Sequence, residues 1–238
     1  MKTSEVALGF LALPERTPCP AVVMIHDVWG LSAHTRDYAT RLANEGFAVL
    51  AIDLYHRARP EKIEDPGRFM RALSDPQVLS DLGESARLLA ARPETNGRVG
   101  VLGFCMGGMY ALMAGCADLG FAASVPFYGL LSHAHGLLHD PAGRDLARKP
   151  REPLAMAAGL RCPLLAFFGD RDTFVPIADI RALERELARS GAGAEVVVVR
   201  DAGHAFMNDT RPDAYRPAEA AAAWKRTVEF LRAQLGAR

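Results

Sequence analysis

Six short apolar runs, each rich in β-branched residues, recur between longer stretches with helical spacing. They are Ala21–His26, Phe47–Asp53, Arg98–Phe104, Ala122–Phe127, Pro163–Phe168 and Glu195–Arg200. Near-continuous hydrophobicity, rather than alternation, marks strands covered on both faces of a parallel sheet. Residues Glu5–Leu13 alternate and read as an edge strand. Helices are predicted over Arg36–Glu45, Leu79–Ala91, Gly107–Cys116, Ile177–Ser190 and Ala218–Leu235. Gly46 stands where a helix C-cap belongs, and Pro93 follows the end of another helix. Strand–helix alternation implies right-handed crossovers and a mostly parallel sheet of about seven or eight strands, with helices on both faces. In such sheets chemistry sits beyond the carboxyl ends of the strands.

Several function classes are disfavoured at once. With 28 Lys+Arg against 28 Asp+Glu, the chain has neither the basic footprint of a nucleic-acid binder nor a polybasic membrane anchor. Hydrophobic residues make up 50%, too many for a disordered chain. No apolar run approaches membrane-helix length and no signal peptide is recognisable, so a cytoplasmic protein is expected. Cys19, Cys105, Cys116 and Cys162 contain no C-x-x-C pair, which leaves free thiols as the expectation. Nothing divides the chain into parts, so one domain over 1–238 is expected, with a lid-like segment near 56–78. Neutral charge leaves monomer and homodimer equally open.

The most specific motif is Gly103-Phe104-Cys105-Met106-Gly107-Gly108, placed between a strand and a helix. G-x-C-x-G in that setting is a nucleophile elbow with cysteine in place of serine. Cys105 would occupy a strained turn, and its thiol would meet the unpaired amides of a helix N-terminus. The plainer reading is a buried cysteine in a glycine-rich turn. A dinucleotide-binding loop is excluded by spacing, because G-x-G-x-x-G is absent here and from the first βα unit.

An acid and a base follow in the order the elbow requires. Asp170 and Asp172 come just after one predicted strand, and His204 comes just after the last. His204 would act as general base, with Asp172 fixing its tautomer. Asp172 is preferred to Asp170, whose simpler role is to cap the turn. Backbone amides of Met106 and of Val28, in the loop His26-Asp27-Val28-Trp29-Gly30, are the expected oxyanion donors. Trp29, Tyr55, Phe104 and Phe206 are expected to line the pocket, and Phe127, Phe167 and Phe168 to belong to the core. His26 and His56 are expected to border the cleft without doing chemistry. His133, His135 and His139 read as loop residues over the pocket rather than metal ligands.

Together these segments resemble the dienelactone hydrolase family (carboxymethylenebutenolidase-like) of the α/β-hydrolase superfamily. The resemblance runs from His26-Asp27-Val28-Trp29-Gly30 through Leu54-Tyr55 and the cysteine elbow to Asp172 and Gly203-His204-Ala205-Phe206. It implies a soluble hydrolase without cofactor or metal that opens small lactones or esters through a thiol acyl-enzyme on Cys105, Asp172 and His204. Two departures stand out. The family usually carries glutamate where this chain has Asp27, a carboxylate that holds the resting cysteine; capping of the loop is the other reading of Asp27. The family also holds the substrate carboxylate with arginines, one shortly after the catalytic histidine. Here the fourth residue past His204 is Asn208, and Arg211 is the first arginine beyond it. Arg57, Arg59, Arg68 and Arg71 are the candidates for that anchor. A catalytically silent scaffold that binds a small molecule or partner protein is the alternative.

Overall fold

A computed structural model of the protein describes residues 1–58 and 62–236. Among these, eight strands form a single sheet in the order β1-β2-β4-β3-β5-β6-β7-β8. The strands are β1 Lys2–Val6, β2 Gly9–Leu13, β3 Cys19–Ile25, β4 Ala48–Ile52, β5 Thr95–Phe104, β6 Ala123–Phe127, β7 Leu164–Gly169 and β8 Ala194–Val199. β1–β2 and β2–β4 pair antiparallel, and every pairing from β4 through β3 to β8 is parallel. The mostly parallel α/β-hydrolase arrangement is thus the observed one.

The segment Glu5–Leu13 differs from expectation in being a hairpin rather than one strand. Gly9 turns the chain at φ 145°, and a Cβ there would lie 2.1 Å from the Ala51 carbonyl oxygen. Only glycine lets β2 come that close to β4.

The helices are α1 Ala33–Asn44, α2 Pro66–Ala72, α3 Asp75–Ala90, α4 Met106–Cys116, α5 Pro153–Met156, α6 Ile177–Ala188 and α7 Pro217–Leu235. α1 and α7 share one face of the sheet, where Tyr38 and Trp224 meet edge to face at 5.4 Å. α3, α4, α5 and α6 pack together on the other. Every residue of α4 is buried, which explains why that helix is apolar all round instead of striped. α2 was not legible as a helix. Its start is fixed by Asp65, whose side chain accepts the Arg68 amide, with Pro66 at the first turn. No helix among the described residues is long and apolar enough to cross a membrane.

β3 lies between β4 and β5, and the chain leaves it first to one side and then to the other. That reversal opens a crevice beyond the carboxyl ends of β3 and β5. Ile25 and Gly103 are register partners there, so the loops after the two strands begin side by side.

Candidate active site

Cys105 stands between β5 and α4 with φ 55° and ψ −115°, a conformation that side chains rarely adopt. Three glycines make that turn possible by letting backbones touch. A Cβ on Gly103 would meet the Gly107 carbonyl oxygen at 2.1 Å, and one on Gly107 would meet that of Ile25 at 2.3 Å. A Cβ on Gly108 would lie 2.2 Å from the Phe127 carbonyl oxygen. That same Phe127 oxygen accepts the Cys105 amide at 3.0 Å, which locks the elbow onto β6. Tyr128 (φ 38°) and Ala205 (φ 63°) are two further residues in the left-handed region. These three of the four such non-glycine residues among those described border one cavity, Asp201 (φ 56°) being the fourth, so most of the strain gathers where the candidate chemistry lies.

Asp172 follows β7, and its side chain is fully buried. One oxygen accepts the amides of Phe174 at 2.8 Å and Val175 at 3.2 Å. The other faces Nδ1 of His204, which follows β8, at 2.7 Å. Asp170 is exposed and makes no such approach. Tyr128 and Phe174 flank the imidazole edge-on, with ring centroids 5.0 and 4.9 Å away. His204 Nε2 is buried without a hydrogen bond of good geometry. Burial disfavours the imidazolium, yet the charge of Cys105 and the bond to Asp172 outweigh it. The His204 pKa is pushed up to about 10. Cys105 and His204 border the same cavity, and His204 Nε2 has no hydrogen-bond partner there.

The cavity holding these groups measures about 140 Å³. Asp27, Val28, Trp29, Cys105, His204 and Arg211 line it, with apolar walls from Pro66, Tyr128, Leu137 and Phe174. Asp27 caps its own loop, one carboxylate oxygen accepting the Trp29 amide at 2.9 Å. Met106 opens α4, where first-turn amides have no acceptor inside the helix. Tyr55 does not border this cavity. Its hydroxyl donates to the Val28 carbonyl at 3.0 Å and touches Met106 Sδ at 3.5 Å, so it braces both loops from behind.

A family model described as "Dienelactone hydrolase family" matches residues 8–235. The chain belongs to the dienelactone hydrolase family. It is 30% identical over 220 residues to the "Putative carboxymethylenebutenolidase" of Escherichia coli K12, covering 90% of this chain and 77% of that one. It is 32% identical to the "Probable 2-oxo-3-(5-oxofuran-2-ylidene)propanoate lactonase" of Bradyrhizobium sp, covering 96% and 90%. Among solved structures, the "Putative Dienelactone Hydrolase" of Klebsiella pneumoniae superposes with a TM-score of 0.81 at 28% identity, covering 95% and 91%. Family membership makes this protein a hydrolase with a small-molecule substrate.

Other expected residues of this dienelactone hydrolase family member fall elsewhere. Phe104 and Phe206 are buried and do not border the cavity; Phe104 stacks on Phe127, and Phe206 packs edge-on to Tyr128 behind the site. Among the candidate anchors, Arg57 is paired with Asp81. Arg71 donates to the Leu137 carbonyl at 3.0 Å, tying α2 to the turn Gly136–Leu138. Arg68 borders a different cavity beside Arg144 and Arg148. Arg59 lies outside the described residues. Among the described residues, the arginine that borders the Cys105 cavity is Arg211, seven positions after His204. Two successive turns, Asn208 N–H to Ala205 and Arg211 N–H to Asn208, carry it there. His133 and His135 do not converge, each facing its own carboxylate, Glu152 or Asp179.

Proposed function

We propose that the protein hydrolyses a small lactone or carboxylic ester through an acyl-enzyme on Cys105. One observation carries this reading: His204 is bound to Asp172 through Nδ1 and borders the same cavity as Cys105. In the mechanism, His204 holds the thiol proton as imidazolium and the Cys105 thiolate attacks the ester carbonyl. Charge on the carbonyl oxygen is met by the Met106 and Val28 amides. Collapse of the adduct expels the alkoxide, which takes the proton from His204; in a lactone this new hydroxyl stays tethered to the acyl group. Water, deprotonated by His204, then attacks the thioester, and the carboxylic acid leaves as the thiol is restored.

Substrate size and charge follow from the lining. A cavity of about 140 Å³ lies well below the roughly 300–1,000 Å³ of pockets for drug-sized ligands, which favours a small ring over a long acyl chain. Arg211 is placed to hold a substrate carboxylate. Asp27 would steady the resting thiol from the same cavity, although one of its oxygens is already used by the Trp29 amide. Residues 59–61 of the lid-like segment 56–78 lie outside the described residues; α2 would act as the lid, its Pro66 and tied partner Leu137 forming part of the wall. Four unpaired thiols suit a reducing cytoplasm.

Steady-state hydrolysis of cis- and trans-dienelactone and of short aryl esters tests the reading, with Cys105→Ala as control. Turnover that vanishes in Cys105→Ala is expected. Turnover that survives it would refute the thiol mechanism. Silence on every substrate, with Cys105 alkylated no faster than Cys19, Cys116 and Cys162, would instead favour a binding scaffold.

A further inference from the structure

His26 is completely buried at the carboxyl end of β3, directly before the Asp27–Val28 peptide. Its ring lies between two backbone groups. Nε2 is 3.0 Å from the Leu54 amide, which can only donate, so Nε2 is the acceptor. The Asp53 carboxylate is 3.6 Å from Nε2, too far for a competing hydrogen bond. The ring's proton is therefore on Nδ1, and it points at the Asp27 carbonyl oxygen 2.5 Å away. Gly30 N–H reaches the same oxygen at 3.3 Å. In a trans peptide the C=O and N–H point in opposite directions. Fixing the Asp27 carbonyl against His26 fixes the Val28 N–H on the opposite side of that peptide. Tyr55, next to Leu54, holds the following carbonyl, that of Val28. The chain end of β4 thus grips the loop after β3 twice, once directly and once through His26.

We infer that His26 is the positioning residue of the oxyanion hole, holding the Asp27–Val28 peptide so that the Val28 N–H faces the Cys105 cavity. The assignment rests on the reading of Val28 as an oxyanion donor. Without the Nδ1 hydrogen bond the Asp27 carbonyl keeps only the longer contact from Gly30 N–H, so the peptide can turn and the donor is lost while Cys105, His204 and Asp172 stay in place. The sequence alone gave His26 no such part, because a histidine after a buried strand reads as a bystander.

Two variants separate positioning from bulk structure. His26→Leu removes both hydrogen bonds, whereas His26→Gln keeps one acceptor and one donor in a side chain of similar reach. In His26→Leu, kcat toward a short aryl ester should fall about 10²–10³-fold, the usual effect of losing one oxyanion donor, with KM nearly unchanged. Alkylation of Cys105 by iodoacetamide forms no oxyanion, so its rate should stay within about twofold of wild type. His26→Gln should restore most of kcat. Loss of alkylation in parallel with kcat, or no rescue by glutamine, would overturn the assignment. So would an unchanged kcat in a folded His26→Leu enzyme. A readout independent of folding comes from ¹⁵N NMR of the wild-type ring, which should show Nδ1 protonated and Nε2 bare; the reverse tautomer overturns the inference. Cys105→Ala distinguishes the two failures: activity without the thiol refutes the acyl-enzyme, while a Cys105-dependent enzyme indifferent to His26→Leu refutes only the role of His26.

Discussion

The two oxygens of Asp172 divide their work: one fixes the amides of its own turn, and the other is 2.7 Å from His204 Nδ1. Asp172→Asn should keep the turn, because the amide oxygen can still accept from Phe174 and Val175. With that oxygen kept by the turn, the asparagine NH2 would present a donor to His204 Nδ1 where the carboxylate accepted. We expect kcat to fall by about 10³–10⁴-fold, with a melting temperature close to wild type. Stopped-flow esterase assays alongside thermal unfolding check both halves.

Arg211 and a carboxylate-bearing substrate form the second prediction. Arg211→Ala should raise KM for such a substrate by about 10–100-fold, the range for losing a hydrogen bond between charged groups. A neutral ester of the same shape should be little affected. Equal losses for both substrates would show that the arginine shapes the cavity and does not hold an anion.

His204 also makes stability depend on pH. Its folded pKa of about 10 lies above the ordinary 6.5, so its contribution is complete below about 6.5 and is lost as the pH rises through about 10. Because the charge of Cys105 is a principal cause of the elevation, Cys105→Ser should flatten this part of the curve. Melting temperatures of the two proteins from pH 6 to 10 should converge as the pH increases. Buried Cys116 and Cys162, with pKa values pushed up by burial to about 12 and about 11, contribute equally to both proteins and cancel in the comparison.

Not all the glycines near the site are equally required. A Cβ on Gly129 would lie 2.4 Å from both the Gly108 carbonyl carbon and the Met109 nitrogen, where no flexible side chain can yield. Gly129→Ala should cost about 3 kcal/mol or more. Gly203, immediately before His204, has its nearest atom at 3.8 Å, so Gly203→Ala should lie within about 0.5 kcal/mol of wild type. Urea unfolding of the two variants measures the contrast.

Lys149 and Asp75 are both almost completely buried and meet at 2.7 Å, with the Tyr110 hydroxyl donating to the same carboxylate oxygen at 2.8 Å. Lys149→Met leaves that carboxylate without its cation and should cost about 3–5 kcal/mol. Adding Asp75→Asn should return part of the loss, which a double-mutant cycle in urea would quantify.

Much of this site was legible in sequence because backbone sterics leave clear marks. The elbow needs glycine at 103, 107 and 108, and the structure shows which carbonyl each one avoids. Asp172 and His204 were visible through their positions after strands. The walls were not. Tyr128 and Phe174 reach His204 from turns whose φ values and packing carry no motif, and only the unusual φ of Tyr128 hints at its place. Phe104 and Phe206 misled because proximity in sequence to Cys105 and His204 says nothing about which side of the sheet end a ring occupies. Arg211 was noted only as the first arginine beyond Asn208, yet two tight turns bring it to the cavity.

Trp29 is 49% exposed and borders the Cys105 cavity, whereas Trp224, the other tryptophan, is packed against Tyr38 between α7 and α1. Only one of the two indoles therefore senses solvent at the entrance. In a Trp224→Phe protein, intrinsic fluorescence would come from the cavity rim alone. A ligand that dries that rim shifts the emission to shorter wavelength, so the native chain carries its own optical titration of occupancy, with no label attached.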